Sequence, residues 1–143
     1  MSVNKNTVIA YRLETTVEQD GQQEIFLYEG KGEMVELGEW CYVRYQEEET
    51  GIKVTIKFSR KGKLTIIRRA GEELVSRLSF DIAGKGSALI PTPAGSMELE
   101  TVTQRLLQDY QEKPFAGRIQ LDYSLEAPGE TLGKYGIALH FTT

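Results

Sequence analysis

The first residue in this sequence that invites a chemical reading is Arg68, in the run Leu64-Thr65-Ile66-Ile67-Arg68-Arg69. Alternation in that run puts Arg68 on the same face as Leu64 and Ile66, the face an apolar core needs. A guanidinium keeps its proton, and enclosing it unpaired is strongly unfavourable. Three answers are open. The side chain snorkels to water at a rim, it pairs with an internal Glu or Asp, or it holds the head group of an acidic ligand through a bidentate contact. In the last case Phe58, Phe80 and Tyr123 are the inward aromatics that would line the ligand's apolar part. Tyr11, Tyr42 and Phe141 join them as bulky side chains able to fill the same interior.

Other reactive types give less. His140 is the sole histidine. It alternates with Leu139 and Phe141 and should face solvent, and no carboxylate pair has diagnostic spacing beside it. Cys41 stands between Trp40 and Tyr42 with no adjacent base to lower its pKa, so it reads as a packed thiol. Trp40 itself reads as packing at the core or at one end. Gly84-Lys85-Gly86 lacks the spacing of a phosphate loop. No catalytic set, metal site or cofactor site is expected.

A second feature is charge. Residues 1–50 hold four basic and eleven acidic groups, whereas residues 51–77 hold eight basic and two acidic ones. Lys53, Lys57, Lys63, Arg69 and Arg77 can form one outward basic stripe across three neighbouring strands. Such a stripe suits an acidic protein surface or, less well, RNA. No aromatics are expected beside these lysines, which counts against a single-strand stacking platform. The alternative is an ordinary solvated face of mixed charge.

These residues need strands to hold them. Runs of about eight residues followed by turn signals recur along the chain, the pattern of an all-β sandwich or barrel. Strands are expected near Thr7–Glu18, Glu24–Glu29, Glu33–Leu37, Glu39–Glu48, Ile52–Ser59, Lys63–Arg69, Leu74–Ile82, Ser87–Ile90, Met97–Asp109, Arg118–Ala127 and Tyr135–Thr142, with Glu33–Leu37 the weakest. Ile52, Val54, Ile56 and Phe58 alternate with Lys53, Thr55, Lys57 and Ser59. The loop Arg60-Lys61-Gly62 then fits a type I turn with a G1 bulge, pairing Ser59 with Lys63, Phe58 with Leu64 and Ile56 with Ile66. A similar loop at Ala70-Gly71-Glu72 would place Leu74, Ser76, Leu78, Phe80 and Ile82 inside. Over 97–110 the pattern is balanced: Leu99, Val102, Leu106 and Tyr110 have helical spacing, while Thr101-Val102-Thr103 favours a strand. Short loops imply a closed antiparallel up-and-down (meander) barrel of about ten strands, one domain over 1–143.

Composition agrees. The chain has 143 residues, a net charge of −4 and a single cysteine. An acidic balance argues against general nucleic-acid or anionic-membrane binding. The lone thiol and the absence of an apolar signal or membrane-length run lead us to expect a cytoplasmic protein that does not bind membranes.

The segment Trp40-Cys41-Tyr42-Val43-Arg44-Tyr45-Gln46-Glu47, followed by Lys57, Leu64 to Gly71, Phe80, Gly84, Thr92-Pro93-Ala94-Gly95 and Thr103 to Leu106, resembles the YwiB-like bacterial family, a domain of unknown function. The resemblance covers essentially the whole chain. It implies a calycin-like, lipocalin-like ten-stranded barrel with Met97–Asp109 as a long strand, and it brings no activity or catalytic residues. Where that family often carries an aromatic two places before Thr-Pro-x-Gly, this chain has Ile90. Together these readings lead us to expect a non-catalytic barrel holding a small apolar or amphipathic anion, with an outer interaction surface as the alternative.

Overall fold

The computed structural model describes residues 6–112 and 115–143. Ten antiparallel strands close into a barrel in the order β1-β10-β9-β8-β7-β6-β5-β4-β3-β2. They are β1 (Thr7–Gln19), β2 (Gln22–Leu37), β3 (Trp40–Gln46), β4 (Lys53–Ser59), β5 (Lys63–Ala70), β6 (Glu73–Asp81), β7 (Lys85–Thr92), β8 (Gly95–Glu112), β9 (Phe115–Ala127) and β10 (Glu130–Thr142). Each strand pairs with its sequence neighbours, and β1 meets β10 to close the ring. Among the described residues no helix is long and apolar enough to cross a membrane.

The register expected at Arg60-Lys61-Gly62 is the one observed: Ser59 opposes Lys63, Phe58 opposes Leu64 and Ile56 opposes Ile66. The following hairpin departs from expectation. Arg68 opposes Ser76 and Arg69 opposes Leu74, with a bulge between them. The bulge takes Leu74 off the inner face, while Ser76, Leu78 and Phe80 stay on it. Ile82 was also expected inside. It is 59% exposed because β6 ends at Asp81 and Ile82 caps the turn against Gly62.

Two ambiguous stretches resolve for physical reasons. Glu24–Glu29 and Glu33–Leu37 are one strand, β2, running through Gly30-Lys31-Gly32. Those glycines are not a turn. Gly30 lies under the Tyr11 ring, where a side chain would be tight, and Gly32 lies against the Arg44 carbonyl, where a side chain has no room. Residues 97–110 belong to the long strand β8, which pairs with both β7 and β9. A bulge between Thr103 and Arg105 switches its parity. Leu99, Thr101 and Thr103 face in before the bulge, and Leu106 and Tyr110 after it. One extra residue in a strand thus imitates helical spacing.

The barrel is lopsided. β1, β2, β8, β9 and β10 have 13 to 18 residues, while β3 to β7 have seven to nine. At about 3.3 Å per residue, one wall stands well above the other. The base, where β2 turns into β3 and β4 into β5, is packed solid. Phe58 is fully buried there, edge-on to Tyr110 at 5.4 Å and 6.2 Å from Phe141. Phe115 stacks on Phe141 at 4.8 Å. Burial pushes the Tyr110 phenol up to about 12.

Candidate functional site

At the opposite end the interior opens into a cup of about 330 Å³. Strand alternation builds it. β1 supplies Leu13 and Val17, β2 Phe26 and Tyr28, β4 and β5 Ile56 and Ile66, β6 Ser76 and Leu78, and β10 Tyr135 and Ile137. Tyr45 and Tyr123 stand in the lower wall. Tyr123 stacks on Tyr135 at 5.1 Å, and Gln19 donates to the Tyr135 hydroxyl at 2.8 Å. Burial raises the phenol pKa values of both Tyr45 and Tyr123 well above the ordinary value. These hydroxyls therefore stay protonated and can donate to a ligand. The volume lies near the lower end of small-molecule sites.

Arg68 stands on the low side of this cup, half-buried, and its charge is answered. Its Nε donates to Glu47 Oε2 at 3.2 Å, and its Nη2 donates to Glu47 Oε1 at 2.9 Å. Glu47 also accepts from the Thr50 hydroxyl at 2.7 Å and is bounded by the β3–β4 turn, where Gly51 N–H bonds the Glu47 carbonyl. Of the readings open for Arg68, the internal pair is the one present, at the rim. Sequence reasoning missed Glu47 as the partner. The parity Cys41, Val43, Tyr45, Glu47 carried the signal, because it points Glu47 inward from the end of β3.

The structure brings two of the four expected ligand residues, Arg68 and Tyr123, to the cup. Phe80 packs behind Tyr123 at 4.5 Å and is 3% exposed. Phe58 belongs to the packed base. Tyr42 does not plug the interior: Cys41, Val43 and Tyr45 take the inner face of β3, so Tyr42 and Trp40 face outward.

That outward placement changes the basic face. Lys57 lies over the Trp40 ring at 4.3 Å, and Arg44 over the Tyr42 ring at 5.3 Å. Aromatics do stand beside the basic residues, contrary to expectation. Of the two places expected for Trp40 it takes the end of the barrel, half-buried on the outer face beside the β2–β3 turn, and not the core. Lys53 directly opposes Arg69, Arg77 opposes Ile67, and Lys63 opposes Asp81. Among the described residues no ion pair within 4.0 Å reaches Lys53, Arg69 or Arg77. His140 is exposed between Arg12 and Arg118 in the ladder. Cys41 is buried with its Sγ 3.9 Å from both the Tyr110 hydroxyl and Glu36. A larger, shallower depression of about 580 Å³ lies beside the β9–β10 turn, with Glu98, Glu100, Glu126 and Glu130 around it. The Thr131 hydroxyl donates to Glu126 Oε1 at 2.9 Å on its wall.

The loops around the mouth are acidic. Glu18 and Asp20 lie at the β1–β2 tip, Glu48 and Glu49 in the β3–β4 turn, Glu72 in the β5–β6 turn and Glu73 at the start of β6. With Arg68 neutralised by Glu47, carboxylates outnumber the cations at the entrance, where Lys53 and Arg69 also stand at the strand ends.

Comparisons with known proteins agree with this fold. Residues 12–139 match the family described as Domain of unknown function (DUF1934). The crystal structure of the ywiB protein from Bacillus subtilis superposes with a TM-score of 0.78 at 22% identity, covering 97% of this chain and 94% of that one. At that identity the likeness speaks for the barrel alone. The curated proteins give no match.

Proposed function

This chain belongs to the DUF1934 family, a domain of unknown function, and we propose that it is a non-catalytic binding barrel whose cup takes a small apolar or amphipathic molecule. The observation that carries this reading is the asymmetry of the interior: a packed base below a cup of about 330 Å³ lined mainly by apolar and aromatic side chains. Apolar surface of this kind is unfavourable to expose to water and favourable to cover with an apolar ligand.

An anionic head group was the sequence expectation. Such a group would have to displace Glu47 from a bidentate pair and pass an acidic rim. We therefore assign the polar end of the ligand a neutral or cationic character, accepted by Glu47 or by the tyrosine hydroxyls. The functional unit is the one barrel domain, and its buried lone thiol suits a reducing cytoplasm.

Native mass spectrometry of gently purified protein tests the reading. A bound mass is expected, and it should vanish in Ser76→Trp, which places an indole in the cup from a half-buried strand position. A mass that persists in that variant would refute the cup as its location.

A second reading is favoured by one observation. Lys53 and Arg69 oppose each other directly without an ion pair, and like charges so placed destabilise a sheet. An acidic protein partner would relieve that repulsion. The double variant Lys57→Glu/Arg69→Glu should then abolish capture of the partner while leaving the melting temperature nearly unchanged. Partner capture that survives the double reversal would end this reading.

A further inference from the structure

The ring is closed, but its ladders are incomplete in places: β6 meets β7 only at Arg77–Leu89 and Leu78–Ala88, and on β8 and β2 longer stretches lack a neighbour on one side. β8 has no β7 partner beyond Val102. Its lower edge is guarded: Arg60 donates to the Tyr110 carbonyl at 3.3 Å and lies 3.9 Å from the ring. β2 pairs with β3 only over Glu33–Leu37, so Gln22–Gly32 is bonded to β1 alone.

This second edge is unguarded. Ile25, Phe26, Leu27 and Tyr28 are 38–63% exposed, four large apolar side chains in succession on one strand. Natural edges are usually blunted by a lysine, a proline or a bulge, and none occurs between Gln22 and Gly30.

The backbone can be assigned in detail. Asp20 and Gly21 both have positive φ (52° and 74°), the signature of a two-residue type I′ turn. Such a turn makes Gln19 and Gln22 a mutually hydrogen-bonded pair. Counting along the ladder, Gln22, Glu24, Phe26 and Tyr28 bond β1. Gln23, Ile25, Leu27 and Glu29 turn their N–H and C=O groups away from it.

A cleft of about 240 Å³ runs beside this edge, between Leu27–Glu29 and the Glu47–Thr50 turn, with Glu48 and Glu49 on its far side. Glu29 is held by Arg12 at 3.7 Å, which leaves Glu24, Glu48 and Glu49 as the uncompensated charges along the edge.

We propose that the free edge of β2 accepts an extended, apolar and basic segment of another polypeptide as an added strand. Ile25 and Leu27 supply the main-chain bonds. Alternate side chains of the incoming strand lie toward Phe26 and Tyr28, and its cationic residues meet the carboxylates. A second copy of this chain is disfavoured as occupant, because it would bring the same acidic edge against itself. The inference rests on the edge and stands whether or not the cup holds a small molecule.

The test uses a fluorescein-labelled peptide, Lys-Val-Lys-Val-Lys-Val-Lys, with anisotropy and amide exchange as readouts. We expect saturable, salt-sensitive binding with Kd below about 100 µM and protection of the Ile25 and Leu27 amides. Leu27→Pro removes an outward N–H without touching the β1 ladder and should weaken binding at least about tenfold. A peptide with proline in place of valine should not bind. If Leu27→Pro melts early, Glu48→Lys/Glu49→Lys, which leaves the strand intact, should weaken binding by charge alone. Absence of saturable binding at about 1 mM, or affinity unchanged in these variants, overturns the proposal. So does binding lost only in Ser76→Trp, which would place the peptide in the cup. A wild-type dimer in sedimentation that Leu27→Pro dissolves would give the edge to a second copy instead.

Discussion

The two ends of this barrel are made from the same strands and do opposite things. At the base, aromatic side chains from β4, β8, β9 and β10 interlock, and Phe58, Phe115 and Phe141 are almost without exposure. At the mouth, the long strands outrun the short ones, and the inward positions of β1, β2 and β10 border the cup instead of interlocking. Phe26 is the same side chain as Phe58, yet 40% exposed. Side-chain type therefore does not decide burial here. Strand length does, because β3 to β6 end before the upper part of β1 and β2.

This contrast is sharpest in matched truncations. Phe58→Ala should cost about 3–5 kcal/mol, since a closed, interlocked site cannot collapse around the void. Phe26→Ala should cost less than about 1 kcal/mol. Urea denaturation of the two variants measures both, and equal costs would erase the distinction between the ends.

Alkaline titration probes what the ends share. Burial raises the phenols of Tyr45 and Tyr123 beside the cup and of Tyr110 at the base, the last to about 12. In the unfolded chain these groups lose their protons near about pH 10. The folded state then binds more protons than the unfolded one, so stability present below that pH falls as pH rises. The slope approaches about 1.4 kcal/mol per pH unit for each such phenol, up to its folded pKa. Melting curves between neutral pH and pH ~12, with the tyrosinate absorbance followed alongside, give the result. A stability flat across that range would contradict the dry tyrosines.

Next in size is the rim pair. Arg68→Ala leaves Glu47 partly enclosed without its partner and should cost about 1–3 kcal/mol, reduced by solvent at the mouth. The double variant Arg68→Met/Glu47→Leu should recover most of that loss. A double-mutant cycle measured by denaturation separates the two effects. Recovery would mean the pair is retained for what it presents to the cup rather than for stability.

The smallest effect belongs to the outer face. Lys53→Glu turns an opposed like pair into a salt bridge with Arg69 and should stabilise by about 0.2–1 kcal/mol. Calorimetry can resolve this, and a destabilisation would show that the repulsion is already relieved in the free protein.

How much of this was legible in the sequence follows from the period of the strands. Alternation of Val54, Ile56 and Phe58 with Lys53, Thr55 and Lys57 specifies both faces of β4, and a loop ending in Gly62 fixes its register with β5. The outward position of the basic residues follows from the same parity. What escaped was set by departures from that period. The bulge in β8 disguised a strand as an even choice with a helix, and the bulge after Arg68 moved Leu74. The expected break between Glu29 and Glu33 is absent, since Gly30 and Gly32 mark close approaches within one strand. The cup itself was not legible, because it depends on which strands are longer than their neighbours. The Arg68–Glu47 pair was half legible: parity points Glu47 inward from the end of β3, but its meeting with Arg68 depends on the β3–β4 turn.

The most direct test of the account is whether the mouth binds while the base does not. N-phenyl-1-naphthylamine, a neutral apolar amine that fluoresces when shielded from water, should bind one molecule per chain with a blue-shifted emission. Ser76→Trp should abolish the signal, and Lys57→Glu on the outer face should leave it intact. No enhancement with the wild-type protein, or a signal unchanged by Ser76→Trp, would contradict the cup as a binding site.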